Sequence, residues 1–167
     1  MRDLKRPNAK LPAYKMLAEL GFEVFTPLKW KLSLCRGRRV RTAVPVMHDL
    51  LFVHDSKCNL EPVVARTQTL QFRFVRNGFC EPMIVRDEDM NRFVRAVSDM
   101  NDVRYYAPDE ISHAMCGRDV RIVGGPLDGY EGKLLTVRGS KVKRLIVDIP
   151  ALLVAGIAVN PEYVQLL

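Results

Sequence analysis

At 167 residues the chain has room for one ordinary domain or two small ones. With 48% hydrophobic and 27% charged residues, it excludes wholesale disorder, collagen and low-complexity fibre. Lysine and arginine number 26 against 19 aspartates and glutamates, a net charge of +7 that points to polyanionic partners. The four cysteines, Cys35, Cys58, Cys80 and Cys116, stand too far apart for a Cys-x-x-Cys metal knuckle or redox pair. The opening MRDLKRPNAK lacks the apolar core of a signal peptide. The longest nearly continuous apolar run, Ile149 to Val159, is broken by Pro150 and Gly156 and falls well short of the roughly 20 residues of a membrane span. The expectation is a soluble cytoplasmic protein with free thiols, without metal or cofactor.

In chain order, Tyr14, Leu17, Ala18 and Gly21 follow the i, i+3, i+4, i+7 spacing of one helix face, with Pro12 in the first turn and Gly21 as the stop. Phe22 to Phe25 alternates as a strand ended by Thr26-Pro27, and Trp30, Leu32 and Leu34 continue the alternation. Val40 to Val46 with Leu50 to Val53 reads as a second long, buried strand. Residues 59–66 suit a short helix, and Leu70, Phe72 and Phe74 another strand. Asp87-Glu88-Asp89 opens an amphipathic helix whose face is Met90, Phe93, Val94 and Val97, the acids suiting the helix dipole. This order predicts an α+β sandwich, helices on one face of an antiparallel sheet. From Ser98 onward neither apolar period persists, which predicts a linker at about 100–116. Beyond it, short β-type runs at Val120 and Ile122, Leu135 to Val137, Leu145 to Ile149 and Ile157 to Val159 are divided by Gly124, Gly125, Pro126, Gly129, Gly132 and Pro150. They predict a small closed five-stranded barrel rather than a helical region, because the β-branched residues suit a pleated surface.

Little in the chain looks catalytic. Gly132-Lys133 has neither the upstream glycine nor the following Ser or Thr of a phosphate loop, and no Gly-x-Gly-x-x-Gly occurs, so the glycines serve tight turns. His48, His54 and His113 stand in no zinc or triad spacing. The chain is not expected to be an enzyme. Two basic segments remain. Arg2, Lys5, Arg6, Lys10 and Lys15 lie near the start, and Lys29, Lys31, Arg36, Arg38, Arg39 and Arg41 surround Gly37, the turn of a β-hairpin. Such clusters hold nucleic-acid phosphates by charge and counterion release.

The run GRDVRIVGGPLDGYEGKLLTV resembles a KOW motif, with Val120 and Ile122 alternating before Gly125-Pro126 and a central Gly132. Upstream, LAELGFEVFTPLKW, CRGRRVRTAVPVMHDLLFVH and EPMIVRDEDMNRF resemble the N-terminal domain of NusG-type transcription elongation factors. Within that family the segments look closest to the UpxY antiterminators of capsular polysaccharide operons, with RfaH a more distant relative. The family's opening strand with its Trp-Tyr pair is missing or cut short here, and its Phe-Pro-Gly-Tyr turn is replaced by Val46-Met47-His48-Asp49-Leu50.

The resemblance implies an N-terminal domain over 1–100, a linker over 101–116 and a KOW domain over 117–167. It implies a monomeric factor that holds the RNA polymerase clamp closed, resisting pausing and termination so that long operons are read through. Tyr14, Phe25, Val46, Met47 and Leu50 are carried over as the clamp patch, and Lys5, Arg6 and Lys10 as contacts to non-template DNA. Arg36, Arg38, Arg39 and Arg41 form a second site for DNA or nascent RNA. The KOW domain would meet a ribosomal protein or the Rho terminator. The alternative is a KOW-type RNA-binding or ribosome-associated protein that never meets polymerase.

Overall fold

Asp3 organises the start of the chain. In the computed structural model, which describes residues 1–6, 9–35, 37–75, 78–98, 102–136 and 139–167, its buried carboxylate accepts from the Lys5 N–H at 2.9 Å and the Ala13 N–H at 2.7 Å. Strand β1 (Arg2–Asp3) thereby caps helix α1 (Ala13–Glu19), whose own N-cap residue, Pro12, has no side chain to do so. Helix α1 buries Ala13 and Leu17, one turn apart, and Gly21 at φ +87° carries the chain out of it.

The remaining elements of the first unit are β2 (Glu23–Phe25), β3 (Leu28–Cys35), β4 (Arg38–Pro45), β5 (Phe52–His54), α2 (Lys57–Arg66) and β6 (Leu70–Gln71). Ser56 caps α2, accepting from the Asn59 N–H. The core gathers Ala13, Leu17, Leu51 and Leu70, with Phe22, Val24, Val53, Val63 and Val64 packed against it. Instead of one antiparallel sheet, the described residues form three separate two-stranded ladders, β1–β6, β2–β5 and β3–β4. The expected buried strand from Val40 to Val53 is also two elements. β4 is exposed along most of its length, a turn covers 46–49, and β5 starts at Phe52.

The chain divides into two compact units, Met1–Met83 and Ile84–Leu167. The division falls ahead of the helix α3 (Asp87–Ser98) and the expected linker. Within the expected linker, residues 102–116 are more ordered than their sequence suggests: Val103–Tyr106 is strand β7, and single 3₁₀ turns at Pro108–Glu110 and His113–Met115 lead into the next strand.

The second unit adds β8 (Cys116–Ile122), β9 (Glu131–Leu135), β10 (Arg144–Ile149), β11 (Leu153–Ala158) and β12 (Val164–Leu166). All pairings are antiparallel in the order β12-β8-β9-β10-β11-β7. The region after residue 116 is β, as the branched residues require, but its ladder runs from β12 to β7 without a closing pair among the described residues. The sheet has six strands where five were expected, the sixth supplied by β7. Helix α3 lies on β10 and β11 and buries Phe93 and Ala96 completely. Arg92 fastens it from the side: its guanidinium donates to the Glu131 carbonyl and sits over the Tyr130 ring, while the Tyr130 hydroxyl donates to the Arg92 carbonyl at 3.0 Å.

Candidate nucleic-acid and partner interface

Charge follows the structural division more sharply than the sequence division. The first unit carries 15 basic and seven acidic side chains, net +8, and the second carries 11 and 12, net −1. A polyanion is therefore drawn to the first unit.

Within it, a cleft of about 150 Å³ is lined by Lys10 and Lys15, Tyr14 of α1, Thr26, His48 of the 46–49 turn, and Leu50. The structure brings together here three residues singled out from sequence, Lys10, Tyr14 and Leu50. Lys15, of the same basic segment, and His48, of the turn, join them although neither was assigned to a site from the sequence. Two cationic side chains beside a phenol and an imidazole can hold a phosphate by charge and hydrogen bonds. Leu50, however, is only 2% exposed. It belongs to the floor of the cleft and not to an open apolar patch, because the Thr26 hydroxyl donates to its carbonyl at 3.1 Å and draws the turn inward. Val46 and Met47 are half-buried in that turn, held by the Val46 N–H donating to the Pro27 carbonyl at 2.8 Å. Phe25 is half-buried too, its ring tilted against Phe52 at 6.2 Å.

Lys5 also has a structural task, since its ammonium donates to the Leu11 carbonyl at 2.8 Å, just ahead of α1. Arg6 and Lys10, by contrast, are exposed, as are Arg2 and Lys15.

The hairpin β3–β4 is a second, separate surface. Arg38, Arg39 and Arg41 are exposed on β4, and Arg36 lies outside the described residues. Residues facing each other across the ladder share a side of it. Trp30 opposes Ala43, Leu32 opposes Arg41 and Leu34 opposes Arg39, so one face is apolar with an arginine edge. Lys29, Lys31 and Ser33, opposite Val44, Thr42 and Val40, form the other face. The Arg41 guanidinium lies 4.9 Å from the centre of the Trp30 ring. The alternation of Trp30, Leu32 and Leu34 was visible in sequence, but not that their face would be open.

In the second unit Val120 and Ile122 are buried in β8, and Gly125 and Pro126 make the following turn. Gly125 has φ +71°, and a Cβ there would approach the Tyr163 ring to 3.1 Å. Gly132 is more tightly constrained, because its Cβ would stand 2.8 Å from the Ile146 carbonyl oxygen. Among the described residues no group of three or more His, Cys, Asp or Glu side chains is gathered as a metal ion would need. No described helix is long and apolar enough to cross a membrane. No protein-family model matches the chain, and comparison with curated proteins finds no match.

Proposed function

We propose that the chain is a specialised transcription elongation and antitermination factor of NusG type, which binds RNA polymerase and promotes read-through of long operons, capsular or exopolysaccharide operons among them. It acts in the cytoplasm, as a monomer and without catalysis, by biasing the two-state clamp of the polymerase towards its closed form. The observation that carries this reading is the division of labour in charge: a +8 unit with a cationic cleft beside the 46–49 turn, joined to a nearly neutral antiparallel β unit.

In this reading Val46, Met47, Phe25 and Tyr14 meet the clamp. Arg6 and Lys10 contact the displaced DNA strand, and the hairpin arginines contact DNA or nascent RNA. The β unit, with its KOW-like turn, recruits a ribosomal protein or Rho. Leu50 supports the clamp surface from beneath.

The test is equilibrium binding of the full chain to an elongation complex across a range of salt. Replacing Arg6 and Lys10 with Ala lowers affinity and flattens the logarithmic salt slope by about 0.7–0.9 for each phosphate no longer neutralised. An unchanged slope assigns both to solvated surface. Retention on ribosomes with no affinity for polymerase would favour the RNA-binding alternative.

A further inference from the structure

We infer that the apolar face of the β3–β4 hairpin binds an unpaired nucleic-acid strand, stacking a base on Trp30. The inference rests on the proposal that the first unit meets nucleic acid, and it names a mode of binding and a place apart from the cleft.

Four observations converge. Trp30 is 63% exposed and Leu34 75%, on a ladder that pairs with no other strand among the described residues. A two-stranded ribbon of this kind is marginal in water unless something covers it. No acidic residue occurs from Lys29 to Arg41, while Arg39 and Arg41 stand on the same face as Trp30, Leu32 and Leu34. Arg41 already lies against the indole, which fixes the ring and sets a cation beside whatever stacks there.

The chemistry of this face selects among polyanions. A β-ribbon reading duplex DNA from the major groove needs polar side chains aimed at base edges. This face offers an indole and the exposed leucines Leu28, Leu32 and Leu34, which match the flat faces of unstacked bases, with guanidinium groups for the phosphates. A protein partner complementary to it would need apolar and acidic groups alternating at strand spacing, a narrower requirement than any single strand meets.

Trp30 is the chain's single tryptophan, so its fluorescence reports this face alone. The full chain is titrated with labelled oligodeoxythymidine, following label anisotropy and Trp30 emission together, with oligouridine as the RNA arm and a duplex of the same length as control. The expected result is quenching of Trp30 that tracks binding of the single strands and is absent with the duplex. Trp30→Leu, checked for folding by circular dichroism, should lower affinity about tenfold with the salt slope unchanged. Trp30→Tyr should keep most of the affinity, and Arg39→Ser with Arg41→Ser should flatten the slope.

Binding without quenching, with Trp30→Leu unaffected, overturns the stacking site and leaves nucleic-acid contact elsewhere on the first unit standing. No binding of any oligonucleotide overturns both. A concentration-dependent blue shift of Trp30 without oligonucleotide assigns the face to a second copy of the chain and overturns it as well.

Discussion

Gly132 shows how one missing Cβ holds two strands together. The atom that a side chain would meet is the Ile146 backbone carbonyl, which cannot rotate away as a flexible side chain would. Gly132→Ala should therefore destabilise the second unit by about 1–3 kcal/mol, measured by urea unfolding. Ala151 makes the opposite case. It follows Pro150 in the β10–β11 turn at φ +61°, and the Leu152 N–H donates to the Ile149 carbonyl at 3.0 Å. An L-residue pays about 1–2 kcal/mol in that region, so Ala151→Gly should raise stability by about 1 kcal/mol once glycine's extra unfolded freedom is deducted.

Arg144 is the buried charge of the second unit, 2% exposed. Its Nη2 donates to the Asp102 carboxylate at 2.8 Å and its Nη1 to the Asp102 and Gly156 carbonyls, while Nε has no partner among the described residues. The hydrogen bond from Arg144 holds the Asp102 carboxyl below its ordinary 3.8 against a smaller desolvation effect, helped by the charges of Arg144 and Arg104. A depressed carboxyl adds stability that is present above the unfolded value and is lost as pH falls through the folded one. Asp102 itself is more than half exposed, so solvent screens the pair and the effect is modest. Asp102→Asn should shrink the loss of thermal stability between about pH 5 and pH 2, and an unaltered acid limb would contradict this pairing.

At the scale of elements, α3 and the hairpin differ in what covers them. Phe93 is fully buried against the sheet of the second unit, so Phe93→Ala should cost about 3–5 kcal/mol. In hydrogen exchange of the full chain it should speed β10 and β11 amides while sparing α1. The β3–β4 amides, by contrast, should be among the fastest strand amides even in the native chain, since among the described residues no third strand pairs with them.

These two elements also show what the sequence could convey. Helix α3 was legible from its apolar period and acidic first turn, but periodicity says only that one face is covered and not by which unit. The polar stretch after Ser98 looked like a boundary, yet Val103–Tyr106 pairs with β11, a long-range partner that local propensity cannot reveal. β4 looked buried because valines and an alanine recur through Val40–Val46. The register instead sets arginines and apolar residues on one face of an uncovered ribbon. Among the site residues, the basic character of Lys10 and the hairpin was plain from sequence. The burial of Leu50 was not, since it depends on the Thr26 hydrogen bond, made by a residue 24 positions away.

For the whole molecule, the central proposal is a binding one, that the first unit docks on RNA polymerase through the surface around the 46–49 turn. Burying one large apolar side chain there is worth about 1.5–3 kcal/mol, and an aspartate in its place also opposes the docking through desolvation. Val46 and Met47 are half-buried, so either can be changed with less damage to the core than Leu50. Leu50→Asp should instead unfold the first unit.

The decisive measurement is the equilibrium affinity of the full chain for core RNA polymerase, compared between wild type and Met47→Asp, with circular dichroism showing both equally folded. Saturable binding of the wild type, weakened about tenfold or more by Met47→Asp, is the predicted result. No binding by the folded wild-type chain, or equal affinity of the two proteins, would contradict it.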